Sequence, residues 1–284
     1  MRTDLKNLRD SPPWEWPKSA GRTLLRVVSD SRASNEDRLL AIMLAGDFTV
    51  INEEICEGLL KVLNNSNEQG FLRGAAALSF GAVLDQADTF GFEDPDDVPI
   101  GEATFRLIQT SLEKIYRDPD AELPLRRSVL ETSVRAPEDW HNEAIASAYA
   151  SGKKEWVRTA VFCMQYVQGF ESQILESLNN PDEDTHQLAV TAATNMNLKA
   201  ARDHVVELVE DPDTPKELLL AAIAAVGLLA PDEAATILEP WEDSEDEEIA
   251  EAVDEAISSA AMLQEEAEED DDADEDDEAS EWVQ

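Results

Sequence analysis

The sequence predicts an all-α protein, a solenoid of about seven helical hairpins, and three observations carry that reading. Aromatic residues make up only 6% of the chain while Ala, Leu and Glu are abundant, which favours helix over sheet. One short pattern recurs from residue 37 to residue 257. Clusters of Asp, Asn and Pro separate the copies, at places where a helix has to stop and the chain has to turn.

The pattern is clearest from Asp211 to Gly227. Pro212 and Pro215 cannot sit inside a helix, and Asp213 or Thr214 can cap one by accepting backbone N–H bonds. Beyond them Leu218, Ala222, Ala225 and Val226 share one helical face, and the glycine is read as the stop. The alanines matter because a neighbouring helix approaches closely only where side chains are small. The other copies begin at Asp37, Leu72, Leu125, Val157, Leu188 and Ile249, so successive steps are 35, 53, 32, 31, 30 and 31 residues. A step near 31 kept four times over is the signature of a helical array.

In chain order, residues 1–17 are expected to be an extended lead-in, because Ser11-Pro12-Pro13-Trp14-Glu15-Trp16-Pro17 holds three prolines. Its tryptophans either fold back over the first repeat or form a docking peptide. The array then occupies 18–263. Repeat 1 pairs Lys18–Ser29 with Asn35–Gly46, and repeat 2 pairs Asn52–Asn64 with Glu68–Ala87. A long loop at 88–100 absorbs the 53-residue step, with Phe90 and Phe92 either packed on neighbouring helices or functional. Repeat 3 pairs Gly101–Arg117 with Leu123–Arg135, and repeat 4 pairs Glu138–Ala150 with Lys153–Gln168. Repeats 5, 6 and 7 pair Glu171–Asn179 with Asp184–Met196, Lys199–Glu210 with Lys216–Leu229, and Asp232–Leu238 with Glu245–Met262. Residues 264–284 form an acidic tail, with 13 acids in the 17 positions 265–281, and are expected to be disordered. Trp282-Val283 is its only apolar handle, a possible recognition tag.

An Asp-rich turn followed by apolar-Arg-x-x-small-x-x-small-apolar-Gly resembles the second helix of a HEAT or HEAT-like repeat, the short form found in phycobilisome-lyase-type repeats. The resemblance spans roughly residues 18–263. It implies a right-handed α-solenoid, an α-α superhelix whose second helices line the concave side. Repeats 1 to 4 keep the family-like arginine at Arg38, Arg73, Arg126 and Arg158, whereas Ala189, Leu219 and Ala250 stand at that position later. An ion-pair ladder between repeats is therefore expected to be partial.

The net charge of −41 is unevenly spread: no Lys or Arg follows Lys216, and 26 of the 63 acids lie in 217–284. Such a field repels phosphates and anionic lipid headgroups, so neither nucleic acid nor membrane is expected as a partner. Adaptation to high salt is an alternative source of the charge, since there are 8 Lys against 14 Arg. No run of about 18 apolar residues exists and the N-terminus lacks a signal-peptide core, which suits a cytoplasmic monomer. Cys56 and Cys163 are expected to be buried reduced thiols.

No catalytic, cofactor-binding or metal-binding residue is assigned. His141, His186 and His204 have no second His or Cys at ligand spacing, and His141 is expected at the surface of a helix start. Phosphate-binding and nucleophile-elbow motifs are absent. Asp118-x-Asp120-x-Glu122 opens like a calcium loop but has Leu123 where glycine is required and Val129 where a bidentate Glu should stand.

The expected function is that of a protein-interaction scaffold and not of an enzyme. Stepping 100° per residue along the second helices turns Arg127, Leu130 and Val134 of repeat 3, and Thr159, Phe162 and Tyr166 of repeat 4, away from the core. Gly74, Ala77 and Gly81 are their counterparts in repeat 2. Together they would form an apolar inner strip for a helix or extended peptide, if nothing else covers it. The resemblance also admits a bilin-lyase-type modification subunit, and the charge admits an acidic chaperone or nucleic-acid mimic that binds basic proteins.

Overall fold

The computed structural model describes residues 2–94 and 97–281, and among these every regular element is helical. The helices fall into two compact units, Met1–Ala148 and Tyr149–Gln284. Among the described residues six helix pairs pack as hairpins, three in each unit, so the expected all-α hairpin stack is the fold that forms.

In the first unit the hairpins are α2 (Ala20–Val28) with α3 (Asn35–Ala45), α4 (Glu53–Asn64) with α5 (Gly70–Leu78), and α7 (Glu102–Arg117) with α8 (Leu123–Ser133). The second helices α3, α5 and α8 pack side by side in one row, while α2, α4 and α7 form the other. Between the rows lie Leu24, Ile42, Leu59, Leu72, Leu112 and Val129, all buried, from helices too short to hide an apolar face alone. Ser34 and Asn52 cap α3 and α4 by accepting from the backbone N–H groups of Asp37 and Ile55.

The second unit repeats the scheme. Its first helices are α11 (Glu171–Ser177), α13 (Arg202–Glu210) and α15 (Ala234–Leu238), which pack against α12 (Glu183–Asn195), α14 (Lys216–Leu229) and α16 (Glu247–Glu281). With α10 (Lys154–Met164), the second helices again form a continuous row. The remaining helix, α9 (Trp140–Ala150), spans the division between the units. Gly227, read from sequence as a stop, lies inside α14 and serves packing instead. A Cβ there would stand 2.5 Å from the carbonyl oxygen of Ala256 on α16.

The recurring arginines have one job in the first unit. Arg73 Nε donates to Leu63 O and Arg126 Nε to Tyr116 O, both at 2.8 Å and both ten residues back. Each satisfies a carbonyl that the end of its partner helix leaves open. Arg38 reaches forward to Glu68 at 2.6 Å, a pair almost out of solvent that holds the Glu68 carboxyl below the usual carboxylate range. In the second unit Arg158–Asp184, Arg202–Glu233 and Lys216–Asp246 join one repeat to the next over 26, 31 and 30 residues. The ladder is thus more complete than the missing arginines implied, because Lys216 takes it up from a different position.

Several local expectations are corrected. The lead-in is not extended: residues Arg2–Arg9 form α1, whose Leu5 and Leu8 are buried in the core, and a 3-10 turn covers Pro13–Glu15. The prolines constrain only the segment after this helix, and Trp16 closes the turn by donating to Leu8 O at 2.8 Å, while Trp14 stays exposed. The long second helix of repeat 2 breaks at Ser79–Phe80 and resumes as α6 (Gly81–Phe90), so the loop begins at Gly91, with φ +68°. Phe92 packs edge-on against Phe105, but Phe90 remains exposed. The last helix, α16, is anchored by the packing of Val253 and Ala256 and continues to Glu281 along the acidic stretch. Trp282 and Val283 lie outside the described residues.

Candidate functional site

The row α3–α5–α8 presents an open trough of about 560 Å³. Its floor includes Gly46, Gly74 and Ser79, its walls are Leu39, Met43, Phe71, Leu78 and Pro124, and Gly70 lies at its rim. The floor exists because the helices come unusually close: the Ser79 hydroxyl, shared with Ala75 O, donates to Ile42 O of α3 at 2.8 Å. The walls exist because α5 places Phe71 and Leu78 two turns apart on its exposed side, with Ala82 following beyond the break on α6, while Ala75 between them packs partly against the core. Met43 is 61%, Leu78 51% and Phe71 48% exposed, so large apolar side chains here stand in water together rather than singly. None of the lining residues is charged.

In the first unit this is a neighbouring strip to the one read from sequence on α5 and α8, while Thr159, Phe162 and Tyr166 lie on or just after α10 in the second unit. Leu130, Val134 and Thr159 are fully buried, so they face the core and cannot meet a partner. Ala77, buried, behaves the same way, whereas Gly74 does line the trough. The residue spacing holds but its phase does not: a small residue marks helix-to-helix contact, and the exposed ridge lies a fraction of a turn away. Arg127 stays half-buried with Glu131 at 3.6 Å. Phe162 and Tyr166 are half-buried, with ring centroids 5.8 Å apart.

The histidines also depart from expectation. His141 is not on the surface but fully buried, its ring stacked on Trp140 with centroids 3.8 Å apart. Nδ1 lies 2.9 Å from the Glu138 N–H, and in the tautomer that accepts this bond Nε2 donates to Ser133 Oγ at 2.9 Å. Burial pushes this imidazole down to about 4, so it is neutral at pH 7 and acts as a helix-start cap. His186 and His204, 18 residues apart, meet with their Nε2 atoms at 2.7 Å. Sequence spacing could not show this, because α12 and α13 belong to successive hairpins. Among the described residues, no group of three or more His, Cys, Asp or Glu is placed to hold a metal ion.

The acidic turns are structural: Asp118 and Asp211 accept from the N–H groups of Asp120 and Asp213, the bond that tightens an Asx turn. Both cysteines are buried outside any disulfide, and burial pushes Cys56 up to about 12, which makes it unreactive. No single described helix is long and apolar enough to cross a membrane.

Comparison with known proteins gives no family: no protein-family model matches the sequence, and no curated protein does. Solved structures do resemble it. YibA of Escherichia coli aligns with a TM-score of 0.48 at 12% identity, over 87% of this chain and 98% of that one. Human deoxyhypusine hydroxylase, solved with glycerol, aligns at 0.40 and 11% identity over 92% and 98%. Kap95p, in a complex with RanGDP, aligns at 0.41 and 14% identity, over 91% of this chain but 42% of that one. These similarities are too distant to transfer residues or activities. An enzyme, the hydroxylase, is among these structures, so the expectation that the chain is not an enzyme is withdrawn, and no activity is carried over from it.

Proposed function

We propose that this chain is a HEAT-like repeat scaffold that binds a segment of another protein in the trough across α3, α5 and α8. The observation that carries the reading is the trough itself. Three large apolar side chains from two helices stand about half exposed around a glycine floor, with no charge among the lining residues. Leaving that surface in water costs free energy at roughly 25 cal/mol per Å², and a partner's side chains would recover it. In stacked helical hairpins the row of second helices forms the inner surface, where a long binding segment touches several repeats at once. The proposed site therefore belongs to repeats 1 to 3 and not to Leu130, Val134 and Thr159.

The test is co-purification from the native source with wild type and with Met43→Glu/Leu78→Glu. Both positions are solvent-facing, so the fold tolerates the change, and circular dichroism checks it. Partners held in the trough are expected to be lost from the double variant. Equal recovery of every partner would overturn the proposal.

A further inference from the structure

Resting on that reading of the trough, we infer that its occupant is a helix of a partner protein whose apolar stripe is edged by Lys and Arg. Shape argues for a helix. Phe71 and Leu78, two turns apart on α5, face Met43 of the neighbouring α3 across the trough, and a helix laid between two such ridges carries its complementary knobs at i, i+3, i+4 and i+7. An added β-strand has nothing to pair with, because the trough is built wholly from helices whose backbone groups are bonded internally.

Charge argues for Lys and Arg. The lining is neutral, but acids surround it. Glu36 lies one turn before Leu39 on α3, Asp47 follows Gly46, and Asp85 lies one turn after Ala82 on α6. The Glu122 carboxylate lies directly over Gly70, at the rim where α5 and α8 begin. The arginines within a turn of the lining are Arg38, paired with Glu68 at 2.6 Å, Arg73 and Arg126, which donate to Leu63 O and Tyr116 O, Arg127, with Glu131 at 3.6 Å, and Arg135, whose Nε would be 3.1 Å from a Cβ on Gly81. With Glu68 and Glu131 counted, carboxylates still outnumber them, inside a chain of net charge −41. At physiological salt a charge acts over about 8 Å, so these rim groups, and not the distant acidic end, are what a docked helix feels. An acidic helix, including this chain's own C-terminal stretch, meets like charge there.

The probe is a fluorescent amphipathic peptide of about 18 residues, Leu on one face and Lys on the other. It is compared with a Leu–Glu version and with a scrambled Leu–Lys version that has no apolar face. Anisotropy titrations use the full chain. The Leu–Lys peptide is expected to bind roughly tenfold tighter than either control, and Met43→Glu/Leu78→Glu to weaken it by about tenfold. That direction is diagnostic, because added negative charge would strengthen a purely electrostatic attachment. Glu36→Gln/Asp85→Asn/Glu122→Gln is expected to weaken the Leu–Lys peptide and to spare the Leu–Glu one. If the Leu–Glu peptide binds as tightly and is equally sensitive to Met43→Glu/Leu78→Glu, the trough is a docking site but the basic partner is wrong. If neither peptide responds to that variant, the trough reading fails with it.

Discussion

Gly46, at the end of α3, lies in backbone contact with Ser79, at the end of α5: a Cβ on Gly46 would stand 2.7 Å from both the Cα and the carbonyl oxygen of Ser79. That approach sets the depth of the trough and brings the Ser79 hydroxyl to Ile42 O. Gly46→Ala forces the two helices apart and is expected to cost about 2 kcal/mol in urea unfolding. Gly74 is the control. Its Cβ would sit 3.4 Å from Ser128 Oγ, an ordinary contact, so Gly74→Ala is expected to stabilise by about 0.5 kcal/mol through helix propensity.

The two classes of cross-repeat ion pair differ in burial, and they should differ in worth. Arg38 and Glu68 are nearly excluded from solvent, so Arg38→Ala strands a carboxylate and is expected to cost roughly 3 kcal/mol. Arg158 and Asp184 are about half exposed, and Arg158→Ala is expected to cost under about 1 kcal/mol, screened further by salt. Denaturant midpoints at low and high salt check both.

Protonation of His141 should destabilise the first unit. Its folded value, about 4, lies below the ordinary 6.5, so between these pH values the unfolded chain binds the proton and the folded one does not. The stability tied to neutral His141 is complete above about pH 6.5 and is lost as pH falls toward 4, by about 3 kcal/mol. NMR titration of the ring is expected to show no transition near 6.5. Subtracting the pH profile of His141→Gln removes the contribution of the many carboxylates.

His186 and His204 share a hydrogen bond that leaves no room for two positive rings. Burial lowers both, and for His186 the His204 ring lowers it further. Replacing His204 with Ala is expected to raise the His186 titration midpoint, measured by NMR. An unchanged midpoint would mean that the rings do not meet in solution.

How much of this is legible in the sequence depends on where each feature has its cause. The hairpins are readable because a repeat must restate its core face and its turns each time, as Leu72, Leu125 and Leu218 do, each buried at the start of a second helix. Turn aspartates such as Asp118 and Asp211 are readable for the same reason. The exposed face is not, because Leu130 and Leu78 are identical in type, and only the packing of α5 against both α3 and α8 decides which is covered. The pairing of His186 with His204 and the burial of His141 against Trp140 depend on contacts between elements, which carry no local signal.

The most direct measurement of the central claim is thiol accessibility at two leucines. Native Cys56 and Cys163 are buried, so the background is low. Leu78→Cys is expected to react with a maleimide at the rate of a free surface thiol, and Leu130→Cys to be protected until the chain unfolds. The reverse order, with position 130 open and position 78 closed, would contradict the trough and return the partner surface to the neighbouring strip through Leu130.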